Sequence, residues 1–175
     1  MNKWNLDQAR MLGPKRVVYL CQWCAYIAKR FCSGDDTDLI YYLSILVEHV
    51  EKLKKAKLRL PPTRVGYFEG CHLRNVYFTP GVEIPWKSYR QLLEIIDEVE
   101  IVDLPSWKCC AHPHNEQIVE EAQKLGLSGI VTPCQGCWSW LERIGFKKGL
   151  PVKMLQEVVL EAVDHVTGQN LSRIG

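Results

Sequence analysis

Eight cysteines stand in this chain, and five of them fall where chemistry can be built. Cys134 and Cys137 form a Cys-x-x-Cys pair, Cys109 and Cys110 are adjacent, and Cys71 lies in the loop sequence Glu69-Gly70-Cys71-His72. A Cys-x-x-Cys pair at a strand-to-helix turn aims two sulfurs at one place, and the helix N-terminus supplies N–H groups and a positive dipole end that favour thiolate over thiol. Neighbouring cysteines do not readily close a disulfide with each other, but they can direct two sulfurs at different irons of one cluster. Four cysteines satisfy a zinc ion or an ordinary cubane; a fifth in a loop of the same kind calls for a cluster that is not a simple cube. The expectation is an iron–sulfur centre on Cys71, Cys109, Cys110, Cys134 and Cys137, with zinc held by four of the same residues as the alternative.

A second Cys-x-x-Cys, Cys21 and Cys24, also follows a strand-like run. Redox pairs, zinc sites and cluster sites share that pattern, so these two are candidate metal ligands, with Cys32 as a possible third or a small buried hydrophobe. A dithiol oxidoreductase resting on Cys21 and Cys24 alone lacks the surrounding thioredoxin-like pattern. His112 and His114 follow the adjacent cysteines and are the candidates for catalytic proton transfer or for a hydrogen bond to sulfur, ahead of His72. His49 and His165 fall within helical patterns and read as structural or solvent-facing. Trp107, Trp138 and Trp140 read first as core, and as a dry shell around sulfur second.

The elements that must position these residues alternate. Arg16 to Leu20, Arg64 to Phe68, Val99 to Leu104 and Gly129 to Thr132 are short, β-branched and bounded like buried strands. Pro85 to Val99, Asn115 to Leu125 and Pro151 to Thr167 carry apolar residues at helical spacing, and Asp36 to Lys55 reads as one helix or two, capped by Asp35 or Asp36. Leu60 to Thr63, with two prolines, reads as a connector. Val17 to Arg30 aligns without gaps on Ile130 to Arg143, each running from strand through Cys-Gln-x-Cys into helix, at an offset of 113 residues (134 less 21). The fold class expected is α/β: duplicated Rossmann-like units with a mainly parallel sheet, the first unit truncated. One domain is expected over residues 1–175, with 1–60 the remnant of the first half-unit and 61–175 the complete second.

Composition narrows the class. The chain has 175 residues, 47% of them hydrophobic, enough for one sizeable core. Its 22 basic and 20 acidic residues are interspersed, which gives no footprint for nucleic acid. The N-terminal stretch is neither signal peptide nor transit sequence, and no apolar run reaches the roughly 20 residues of a membrane span. A cytoplasmic location is expected, where disulfides do not account for the cysteines. No G-x-G-x-x-G follows a strand, so any flavin belongs to a partner.

The order Gly-Tyr-Phe-Glu-Gly-Cys71-His72-Leu73-Arg74, then Cys109-Cys110, then Val131-Thr132-Pro133-Cys134-Gln135-Gly136-Cys137 resembles the cysteine-rich domain named for its Cys-Cys-Gly signature, with Ala111 in place of that glycine. Such domains occur in heterodisulfide reductase and in iron–sulfur oxidoreductase subunits. The resemblance implies a non-cubane [4Fe–4S] cluster ligated by the five cysteines. It implies electron transfer to or from a thiol–disulfide or quinone-type acceptor, with a flavin- or iron–sulfur-containing redox subunit, or a second copy, as partner. The truncated first unit leaves an apolar face for that partner.

Overall fold

The computed structural model describes residues 2–32, 38–70, 86–105, 110–111 and 114–168. Among them the chain runs α1 (Asn2–Met11), β1 (Arg16–Tyr19), α2 (Gln22–Cys32), β2 (Asp38–Tyr41), α3 (Tyr42–Glu48), α4 (Val50–Lys55), β3 (Arg59–Tyr67), α5 (Trp86–Glu94), β4 (Asp97–Asp103), α6 (His114–Lys124), β5 (Gly129–Thr132), α7 (Gln135–Lys148), β6 (Val152–Met154) and α8 (Leu155–Thr167). Every strand pairing is parallel: β1 with β2 in a two-stranded sheet, and β4-β3-β5-β6 in a four-stranded one. The chain is α/β with parallel sheets, as expected.

Alternation along the strands sorts the apolar side chains onto two faces. Val65, Tyr67 and Val131 join a core with Leu92 and Leu93 of α5, Leu155, Val158 and Val159 of α8, and Tyr41 and Leu43 from the first half of the chain. Phe68, Ile130 and Val152 face a second core with Ile118 and Val119 of α6 and Leu141 of α7, and this core contains Cys110, Cys134 and Cys137. The small sheet rests on α1 and α2 through Leu6, Ala28 and Leu39.

The internal repeat extends further than Arg143. β1 and β5 begin 113 residues apart, at Arg16 and Gly129; β2 and β6 end 113 apart, at Tyr41 and Met154; and α3 and α8 begin 113 apart, at Tyr42 and Leu155. In each copy the strand after the Cys-x-x-Cys helix pairs in parallel with the strand before it. The equivalent backbone bonds close both helix starts, Ala25 N–H to Cys21 O at 3.0 Å and Trp138 N–H to Cys134 O at 2.9 Å.

Four expected elements need correction. Leu60 to Thr63 is part of β3 rather than a connector; its two prolines are tolerated because the pairing with β4 shifts register between Arg59 and Thr63, so the missing N–H groups fall at an irregularity. The pattern from Asp36 opens with strand β2 and turns helical only at Tyr42, with Tyr41 as N-cap; Asp35 and Asp36 lie outside the described residues. Pro151 to Thr167 likewise opens with a strand, β6, held by Ile130 N–H donating to Pro151 O at 2.9 Å. The helix expected to reach Val99 stops at Glu94, because Asp97 onward pairs with β3. Helix α1 had no sequence expectation.

The outer edge of β6 is covered by side chains. Trp138 Nε1 donates to Val152 O at 3.2 Å and Met154 N–H donates to Glu157 Oε2 at 2.6 Å, which occupies groups that could otherwise recruit a foreign strand. Below it, α7 packs so closely on the 150–152 turn that a Cβ on Gly145 would sit 2.4 Å from Leu150 O and 2.7 Å from Val152 Cγ2. Gly145→Ala is therefore expected to destabilise the chain by about 1–3 kcal/mol, read as a lowered denaturation midpoint at unchanged slope. An unchanged midpoint would show that this packing is looser than described.

Candidate metal centre

The site lies where parallel strands deliver their carboxyl ends, outside β3 and β5, a usual place for ligands in open α/β sheets. β5 is buried along its whole length, and Thr132 and Pro133 carry the chain into Cys134, which caps α7 with extended φ and ψ (−105°, 115°). Thr132 Oγ1 accepts from Cys134 N–H at 3.3 Å, which fixes the turn. On the neighbouring strand, Phe68 N–H donates to Val131 O at 2.9 Å, so the chain leaving β3 is held beside this turn. Glu69 and Gly70 follow, both buried, and lead into Cys71.

Three of the five expected ligands are described, and the structure brings them together. Cys110 is 7% exposed, Cys134 8% and Cys137 0%. Cys137 is in hydrogen-bond contact with both Cys110 and Cys134. Contact with Cys110 and then with Cys134, together with burial, pushes the Cys137 thiol well up. Cys134 moves the other way, down to about 7: the Cys137 thiol donates towards it, an effect larger than the desolvation that opposes ionisation, and the N–H groups of Cys137 and Gly136 add to it. A proton is thus held on the central sulfur, and an arriving metal must displace it.

Gly70 closes the site. It has φ +85°, and a Cβ there would sit 2.6 Å from Cys137 Sγ and 3.6 Å from Cys134 Cβ. Only a glycine lets this backbone reach the sulfurs. Buried soft sulfur donors around a backbone cradle fit a thiolate-bound metal or cluster. Among the described residues, no group of three or more His, Cys, Asp or Glu side chains is by itself disposed to hold a metal ion.

Cys71, Cys109, His72, His112 and Trp107, together with the side chain of Cys32, lie outside the described residues. His114 is the first residue of α6, half-buried, with its N–H donating to Ala111 O at 3.0 Å; among the described residues its buried Nδ1 has no hydrogen-bond partner. Trp138 packs in the cysteine-bearing core, whereas Trp140 is 46% exposed. Cys21 and Cys24 are only partly buried and form a separate pair, with Cys24 N–H donating to Cys21 Sγ at 3.3 Å. Burial first, then Cys21, pushes the Cys24 thiol up to about 11.

Two tyrosines join the site without a sequence signal. Tyr41 O–H donates to Pro133 O, the carbonyl just before Cys134, and Tyr42 O–H donates to Gln156 Oε1 near the start of α8. Their rings meet edge to face at 4.5 Å, and Tyr41 meets Tyr89 at 5.8 Å. Burial raises both phenols far above their ordinary value, and a negative charge on Cys134 raises each further, so both hydroxyls stay protonated beside the sulfurs. The first half of the chain thereby braces the cysteine turn of the second. Extending the repeat comparison to Tyr41 and Met154 would have placed these residues at a strand end, but not against Pro133.

Gly70→Ala tests the cradle. It is expected to lower bound metal per chain at least several-fold while leaving the far-ultraviolet dichroism unchanged, because the intruding methyl meets a sulfur at a loop and not a helix or strand. Full metal content in that variant would contradict the geometry.

The stretch that contains this site has a recognised likeness. No curated protein matches the chain. Residues 65–142, from β3 into α7, match the model of a family described as a cysteine-rich domain, and the match spans all five expected ligands while leaving Cys21 and Cys24 outside it.

Proposed function

We propose that this chain is an iron–sulfur redox subunit, similar to the cysteine-rich subunit of heterodisulfide reductase, that passes electrons to or from a thiol–disulfide or quinone-type acceptor within a multi-subunit complex. The observation that carries the reading is the burial of Cys110, Cys134 and Cys137, with Cys137 in contact with the other two and Gly70 pressed against Cys137 and Cys134, and with Cys71 and Cys109 each one residue away in sequence from a group in those contacts. The cysteine-rich match over the same residues supports it. A non-cubane [4Fe–4S] cluster held by the five cysteines would supply one-electron storage. The protein's own part is to keep soft anionic ligands in a dry pocket, with Gly136 and Cys137 N–H groups and the α7 N-terminus facing the charge. His112 and His114 are the groups placed in sequence to move a proton beside it.

Partner and place belong to the same proposal: a flavin- or iron–sulfur-bearing subunit, or a second copy, in the cytoplasm. Val18, 41% exposed, and Leu20, 71% exposed, give the β1 side an apolar surface for that contact. Among the described residues no helix is long and apolar enough to cross a membrane.

Chain purified without oxygen should carry iron and acid-labile sulfide in equal amounts, and Cys109→Ser or Cys110→Ser should abolish the cluster or reduce it to a simpler one with altered paramagnetic spectra. Cys32→Ser should be nearly silent. A colourless protein with one zinc per chain would instead make the site a structural zinc module held by four of the same cysteines. Unchanged iron and spectra in both variants of the adjacent pair would remove the five-ligand account.

A further inference from the structure

The two Cys-x-x-Cys turns occupy the same place in the repeated unit but differ in their surroundings. Each first cysteine caps a helix at the carboxyl end of a parallel strand, with equivalent backbone bonds to Ala25 and Trp138. Around Cys134 and Cys137 the site is closed in: Gly70 presses on the Cys137 sulfur, Cys110 contacts the same sulfur, and both residues of the pair are under a tenth exposed. Around Cys21 and Cys24, among the described residues, no third cysteine contacts either sulfur, and both remain partly open to solvent. A sealed set suits a resident cofactor, whereas an open pair of touching sulfurs suits exchange with a molecule that comes and goes.

We infer that Cys21 and Cys24 form a second, separate redox site: a dithiol that closes reversibly to a disulfide by exchange with a low-molecular-weight disulfide. Cys21 is the attacking sulfur: it stands partly exposed at the start of α2, and its Sγ accepts the Cys24 N–H at 3.3 Å. Cys24, in hydrogen-bond contact with Cys21, is the resolving sulfur. The Cys21 thiolate attacks one sulfur of the incoming disulfide, forming a mixed disulfide and releasing the other sulfur as a thiolate. The Cys24 thiolate then attacks the Cys21 sulfur, closing the Cys21–Cys24 bond and releasing the second thiolate. The protein pair loses two electrons and two protons, and the incoming disulfide becomes two thiols. None of this chemistry depends on whether the buried set binds iron, zinc or neither.

The test titrates the full chain, purified without oxygen with whatever metal it carries, against ratios of reduced to oxidised glutathione, and follows Cys21 and Cys24 by differential alkylation and mass spectrometry. The peptide carrying both is expected to pass from two alkylated thiols to one internal disulfide over a tenfold-scale change in the ratio, at constant metal content. Cys24→Ser is expected to trap a glutathione adduct on Cys21, and Cys21→Ser to trap none. Metal content that falls in either variant would make the pair a metal site and overturn the inference. So would a pair that stays reduced in oxidised glutathione while the chain remains folded. Because metal content is read in the same samples, loss of this inference is distinguishable from loss of the iron–sulfur reading.

Discussion

A missing methyl group sets the geometry of the site. The backbone at Gly70 approaches Cys137 Sγ so closely that a Cβ would stand 2.6 Å away, and that approach is dictated by the parallel ladder beneath it. Val65, Gly66 and Tyr67 pair with Gly129, Ile130 and Val131, and one more backbone bond, from Phe68 to Val131, carries the register to the edge of the site. Once β3 and β5 are in register, the loop towards Cys71 and the turn at Cys134 must emerge side by side. A slip of one residue would turn Phe68 from the cysteine-bearing core to the opposite face. The hydrophobic sorting of the sheet therefore fixes the placement of the sulfurs.

The two halves of the chain share a plan and divide the work. Both place a Cys-x-x-Cys at the carboxyl end of a strand and follow it with helix, parallel strand and helix at a constant spacing. The first half then turns its second strand towards the other half: Tyr41 and Tyr42, at the junction of β2 and α3, reach Pro133 and Gln156. In this arrangement a tyrosine hydroxyl satisfies the carbonyl just before Cys134, a buried acceptor whose loss of a partner would cost about 1–3 kcal/mol. The same contact ties the first half to the turn that carries the buried pair, while Cys21 and Cys24 of the first half stay partly exposed.

What the sequence disclosed followed from local physics. β5 was legible to the residue because GIVT is β-branched and bounded by turns, and the duplicated Cys-Gln-x-Cys made the repeat visible from spacing alone. β2 and β6 were not legible: each runs straight into a helix without a turn residue, and only pairing with β1 or β5 makes those residues extended. The proline-bearing start of β3 reads as a linker until its register irregularity is seen. For the site, cysteine types and spacing singled out Cys110, Cys134 and Cys137, which the structure brings into contact. Gly70, Tyr41 and Tyr42 act through contacts between residues far apart in the chain, 92 positions in the case of Tyr41 and Pro133, and periodicity carries no trace of those.

The central claim is that this buried sulfur set holds several irons and not one zinc. X-ray absorption at the metal edge of chain purified without oxygen tests it most directly, because it reports the element, its ligands and its metal neighbours together. The account predicts an iron edge with sulfur as the nearest scatterer and a distinct iron–iron scattering path, which weakens when Cys109 or Cys110 is replaced by serine. A zinc edge with about four sulfurs at a single distance and no metal–metal path would contradict it.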